Sequence, residues 1–147
     1  SDNLNNYYRR YPSGFDTLQR RLGYRVRPSW IWQRKRYGTD ELIVAITNDG
    51  VAGVPGNLRL KLESLDGQIK LQGSLDAGQP FAGKIRQASF ILPKGYDGKE
   101  FKISAEIETR AGIRRPVNWA TAQPSSADGS LKFELLRHDD KRWRKGV

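Results

Sequence analysis

Three features of the sequence predict an all-β fold: a two-sheet antiparallel β-sandwich of immunoglobulin- or fibronectin-like architecture with about eight strands. Apolar residues alternate with polar ones in short runs, as in Leu58, Leu60 and Leu62 against Arg59, Lys61 and Glu63. Such alternation marks a strand with one face in a core and one in water. Turn chemistry punctuates these runs at short intervals, as at Asn48-Asp49-Gly50, Asp66-Gly67 and Ala111-Gly112, because Asn and Gly tolerate positive φ. The hydrophobic share is a modest 37% of 147 residues, which suits a sandwich, where every second strand residue faces solvent.

Taken in order, residues 1–21 read as a polar, tyrosine-rich lead-in broken at Pro12-Ser13-Gly14. Phe15, Leu18 and Leu22 fall at helical spacing, so a short helix is expected there, with Ser13 or Asp16 as its cap. The sandwich itself is expected over 22–137. A first strand runs from about Tyr24 to Arg34. Strict alternation puts Tyr24, Val26, Trp30 and Trp32 on one face and Arg25, Arg27, Ser29 and Gln33 on the other. Pro28 cannot donate a ladder hydrogen bond, so this strand lies at an edge or carries a bulge. Residues 42–47 are apolar on both faces and predict a central strand. Leu58, Leu60 and Leu62 face inward on the next, and Asp66-Gly67 forms a tight hairpin to Ile69, Leu71 and Leu75. Residues 84–92 form a strand stopped at Pro93. Phe101, Ile103, Ala105 and Ile107 alternate with Lys102, Ser104, Glu106 and Glu108. Pro116 interrupts a strand at 113–121, and Leu131, Phe133 and Leu135 form the last one. Residues 138–147 read as a basic tail. The ten residues Leu42, Val44, Ile46, Leu58, Leu60, Leu62, Phe101, Ile103, Ile107 and Phe133 are expected in the core.

The chain has no cysteine, hence no disulfide framework and no thiolate chemistry. It has no methionine either, so Ser1 is not a start residue and the sequence reads as a piece of something longer. No apolar run approaches the ~20 residues that span a membrane, and no membrane partner is expected. The net charge of +10 reads as attraction to phosphate, sulfate or uronate groups, or as a solvated surface whose excess sits at the two ends.

Catalytic constellations are thin. His138, the one histidine, sits beside Asp139 and Asp140 in the tail. Glu106 and Glu108 share a strand face, so they form a candidate carboxylate pair or ordinary surface. Asp49, Asp66, Asp76, Asp97 and Asp128 lie at or near turn glycines, where they serve turn chemistry or calcium. No phosphate loop or dinucleotide fingerprint is present. The sequence therefore predicts a chain that is not an enzyme by itself and needs no cofactor and no metal.

The aromatics and the basic ends are the binding candidates. Trp30, Trp32, Trp119 and Trp143 are the residues able to stack on sugar rings or bases, with core packing the competing role for Trp30, Trp32 and Trp119. Arg9, Arg10, Lys141, Arg142, Arg144 and Lys145 are the candidate polyanion-binding residues. In Lys141-Arg142-Trp143-Arg144-Lys145, cations and an aromatic interleave as in single-strand nucleic-acid platforms.

Several segments carry a resemblance: Leu22-Gly23-Tyr24-Arg25, Ile46-Thr47-Asn48-Asp49-Gly50, Leu58-Arg59-Leu60-Lys61-Leu62, Ile91-Leu92-Pro93, Pro116-Val117-Asn118-Trp119-Ala120 and Asp128-Gly129-Ser130-Leu131. Together, over about Leu22 to Leu135, the chain resembles the C-terminal β-sandwich domain of uncharacterised bacterial proteins whose preceding part looks like a glycoside-hydrolase barrel. It departs from them at Trp119, where leucine is commoner, and in its basic tail. The resemblance implies a non-catalytic accessory domain whose partner is a catalytic domain in cis, in a secreted, periplasmic or cell-surface protein. Two alternatives stand beside it: a module that itself grips an acidic polysaccharide, and a nucleic-acid- or polyanion-binding domain.

Overall fold

In the computed structural model the described residues are 4–12, 25–36, 38–50, 56–75, 85–119, 121, 129–137 and 139–145. They form ten strands: β1 (Leu4–Arg10), β2 (Val26–Arg36), β3 (Thr39–Asn48), β4 (Asn57–Ser64), β5 (Lys70–Leu75), β6 (Ile85–Ile91), β7 (Glu100–Glu108), β8 (Arg114–Pro116), β9 (Leu131–Glu134) and β10 (Arg144–Lys145). The eight strands expected from the sequence correspond to β2 through β9. The two additional strands lie at the ends. Residues 4–10, read from sequence as lead-in, pair along their whole length with β2, and 144–145 in the basic tail pair with β1. Period-2 hydrophobicity could not reveal β1, because over residues 5–10 both of its faces carry polar, aromatic and basic residues. The helix expected after Pro12 lies outside the described residues, as does His138.

The strand order is β10-β1-β2-β3-β6-β5-β4-β7-β8, and β9 also pairs with β7. Every pairing is antiparallel. The path folds into two sheets at β5, whose residues 70–73 pair with β4 and whose residues 74–75 pair with β6. The second edge of β7 is covered in tandem: β9 pairs with 100–103 and β8 with 106–108. Pro116 sits in the three-residue β8, where a missing N–H is tolerated.

The core fills the space between the sheets. All ten residues expected there are buried. The first sheet adds Val26, Ile31, Ala88 and Phe90, and the second adds Ala105, Leu131 and Leu135. Gly73, opposite Leu60, lets Phe90 lie against the backbone, since an added Cβ would stand 2.7 Å from Phe90 Cε2. One buried amide links the β2 interior to the chain after β9. Gln33 Nε2 donates to the Leu136 carbonyl at 3.2 Å, and Leu136 N–H donates to Gln33 Oε1 at 3.0 Å. Among the described residues no helix is long and apolar enough to cross a membrane.

Candidate binding face

The site begins with one extra residue in β2. The β2–β3 register pairs Pro28 with Ile46 and Trp30 with Ala45, so Ser29 is bulged out of the ladder. The proline explains the position, because it cannot supply the ladder donor, and the bulge satisfies its own polar groups. Ser29 Oγ donates to the Ala45 carbonyl at 3.3 Å, Thr47 Oγ1 donates to Ser29 Oγ at 2.8 Å, and Tyr11 N–H donates to the Ser29 carbonyl at 2.8 Å. A bulge opposes two residues to one and so reverses the phase of alternation. Before it, Val26 points into the core. After it, Ile31 and Gln33 do, and Trp30 and Trp32 point outward. The expectation that both tryptophans share the face of Val26 is corrected by this single residue.

The outward positions of β1, β2 and β3 line up across the sheet. Arg10, Trp30 and Ala45 form one row, Tyr8, Trp32 and Ile43 the next, and Asn6, Arg34 and Glu41 a third. Tyr8 is 50% exposed and Trp30 39%. Tyr8 stacks on Trp32 with centroids 5.4 Å apart and planes inclined by 22°, and it meets Trp30 edge-on at 6.0 Å. Trp32 Nε1 donates to Asn6 Oδ1 at 2.9 Å, which fixes the indole toward β1. The guanidinium of Arg10 lies 5.3 Å from the Trp30 ring centre, and that of Arg34 lies 5.3 Å from Trp32, both within cation–π range. Beside the indoles a shallow depression of about 220 Å³ is lined by Trp30, Trp32, Ile43, Ala45 and Gln87. The indoles also explain why Ile43 and Ala45, on an outer face, are nevertheless buried.

Three cations around this face are already matched to carboxylates. Arg34 pairs with Glu41 at 2.6 Å and Arg27 with Asp49 at 2.6 Å. Arg142 grips both oxygens of Asp140, at 3.0 Å through Nε and 2.7 Å through Nη2, and its backbone N–H donates to the same carboxylate at 2.8 Å. These bonds hold the Asp140 carboxyl down to about 2 and raise the Arg142 guanidinium above its usual value. Arg142 also lies 5.6 Å from the centre of Tyr7. Arg9 points away from the strip, over Tyr7 and Phe133, and donates to the Glu134 carbonyl, so it ties β1 to β9. Arg10 and Lys141 have no carboxylate partner among the described residues. Arg144 and Lys145 enter the site through their backbone pairing with Asn6 and Asn5.

The other two tryptophans lie elsewhere. Trp119 is 3% exposed and its Nε1 donates to the Ile103 carbonyl at 2.9 Å, so it is a core residue and offers no ring face to a ligand. Trp143 folds back on the turn before β10, where its Nε1 donates to the Arg137 carbonyl at 2.7 Å. Tyr8, which the sequence offers only within the cation–aromatic run Tyr7-Tyr8-Arg9-Arg10-Tyr11, joins the site here. Its signal was its alternation with Asn6 and Arg10, legible only once residues 4–10 are taken as a strand.

The outer face of the second sheet is of another kind. Arg59 pairs with Glu108 at 2.5 Å, Lys61 with Glu106 at 3.3 Å and Lys102 with Glu63 at 3.8 Å. The candidate carboxylates Glu106 and Glu108 are thus partners of surface cations. Asp66, in the β4–β5 turn, is held far below the usual carboxylate range by Lys99 and by the Ser64 hydroxyl. Among the described residues no three His, Cys, Asp or Glu side chains cluster as metal ligands would. Compared with family models, with curated proteins and with solved structures, the chain matches none.

Proposed function

We propose that the chain is a non-catalytic β-sandwich domain that grips a polysaccharide on the outer face of its first sheet, as the accessory partner of a carbohydrate-active catalytic domain in cis. The observation that carries this reading is the outward strip of Tyr8, Trp30 and Trp32. Contiguous exposed aromatics on a folded domain mark interaction sites. A pyranose ring has an apolar C–H face that an indole or phenol desolvates, while its hydroxyls stay in water or find polar neighbours. Arg10, Asn6 and Gln87 stand at the margins of the strip as such neighbours. Among the described residues the ion-paired outer face of the second sheet carries no exposed aromatic. The catalytic partner rests on the resemblance over Leu22 to Leu135.

A nucleic-acid ligand fits less well. Such ligands draw their affinity from many phosphate contacts, yet Arg27, Arg34 and Arg142 already have carboxylates beside them. The strip is more aromatic than it is electropositive.

Affinity electrophoresis through a panel of soluble polysaccharides tests the proposal. Wild type should be retarded by at least one glycan. Trp30→Ala and Trp32→Ala should each weaken that binding by roughly tenfold, with the denaturation midpoint showing that the fold persists. Retardation by no polysaccharide, or undiminished binding by the double variant, would overturn the reading.

A further inference from the structure

A second hollow of about 350 Å³ lies on the other side of Tyr8, lined by Asn6, Tyr7, Tyr8, Lys141 and Arg142. It forms because the turn before β10 comes alongside β1. Tyr8 is thus a shared wall, with the hollow on one side and Trp32 and Trp30 on the other. Within the hollow the charges are unequal. Arg142 is neutralised by its three bonds to Asp140 and is steadied against Tyr7. Lys141 is exposed and has no carboxylate partner among the described residues. Asn6 accepts from Trp32 through its oxygen, which leaves its amide nitrogen as a donor. The free groups are therefore a cation and N–H donors, a set that suits an anion.

We infer that this hollow receives an acidic substituent, a carboxylate or a sulfate, of the same glycan whose neighbouring ring rests on the Tyr8–Trp32 pair, so that the ligand is an acidic polysaccharide. The inference rests on the glycan-binding reading of the aromatic strip. Arg10 gives it a second anchor. Along the outward side of β1 the order is Asn6, Tyr8, Arg10, and alternate strand residues are about 6.8 Å apart. A cation with no carboxylate partner among the described residues thus stands at each end of the strip, Arg10 against Trp30 and Lys141 in the hollow. An extended chain with an acidic group on successive units would meet Lys141 and Arg10 in turn. Arg142 is a positioning residue here: it fixes the turn that presents Lys141.

Matched glycan pairs distinguish this inference from the reading beneath it. Polygalacturonate, alginate and heparin are each titrated into the whole chain beside an uncharged counterpart, carboxyl-reduced for the first two and desulfated, N-acetylated and carboxyl-reduced for heparin. The acidic member of at least one pair should bind roughly threefold to tenfold tighter, and that margin should shrink as salt screens it. A preference for the uronates alone or for heparin alone tells carboxylate from sulfate. Lys141→Gln should reduce the margin and the double variant Lys141→Gln/Arg10→Gln should abolish it, whereas Trp30→Ala should weaken both members. Equal affinity within every pair, or a margin that Lys141→Gln leaves undiminished, would overturn the inference while the aromatic platform stands. Absence of binding by both members of every pair would sink the platform and this inference with it.

Discussion

Gln33 shows how one polar side chain can serve the core better than an apolar one. Its amide satisfies both backbone groups of Leu136, a residue with no exposed surface. Replacing it with leucine would fill similar space but leave a buried N–H and a buried carbonyl without partners. Each such loss costs about 1–3 kcal/mol. Gln33→Leu should therefore destabilise by roughly 3 kcal/mol, read as a lower urea midpoint at unchanged slope. An unaltered midpoint would mean that Leu136 finds other partners. At this scale the sequence was least informative. Nothing in its pattern distinguishes Gln33, which is buried, from Gln72, which is exposed, since the difference arises from a segment 103 residues away. Trp119 is similar: its indole is committed by a bond to the Ile103 carbonyl on β7, a contact that no local spacing encodes.

At the scale of one element, β2 decides which residues the molecule shows to the outside. Its proline foretold an irregularity, and a bulge is found there; the side-chain directions beyond it were misassigned because strict alternation was carried through the irregularity. The neighbouring strands had no such break, so Leu58, Leu60 and Leu62 on β4 and Phe101, Ile103 and Ile107 on β7 were legible from alternation alone. Deleting Ser29 would leave Pro28 opposite Ile46 and Trp30 opposite Ala45 in an unbroken ladder, with Trp30, Trp32 and Arg34 still outward and Ile31 and Gln33 still inward. What the deletion removes is the set of bonds that Ser29 makes with Ala45, Thr47 and Tyr11. The deletion variant should therefore fold with the same faces and keep its near-ultraviolet circular dichroism, at a cost of about 1–3 kcal/mol. Ser29→Ala keeps the extra residue and should lose about 1 kcal/mol for its side-chain hydrogen bonds. A deletion variant without a cooperative fold would show that the ladder cannot close beside Pro28 without the extra residue.

For the whole molecule, two sheets were legible because strand alternation and turn chemistry are local. The way they join was not, because the division of β5 between β4 and β6 depends on pairings distant in sequence. That shared strand has an energetic meaning. Neither sheet can lose β5 without breaking the ladder of the other, so the two should unfold as one unit. Circular dichroism of the strands and fluorescence of the tryptophans should trace a single coincident denaturation curve; two separated transitions would show that the sheets melt apart. The pairing of β1 with β10 has a different consequence, one of timing. The hollow beside Tyr8 draws Asn6, Tyr7 and Tyr8 from β1 and Lys141 and Arg142 from the turn before β10, which is synthesised long after β1. A growing chain can present the aromatic strip once β3 has formed beside β2, but it has no seat for an acidic group until residues 139–145 have emerged. The proposed recognition of charge is thereby acquired later in synthesis than the aromatic strip, and a cut between β9 and β10 would remove it while leaving that strip in place.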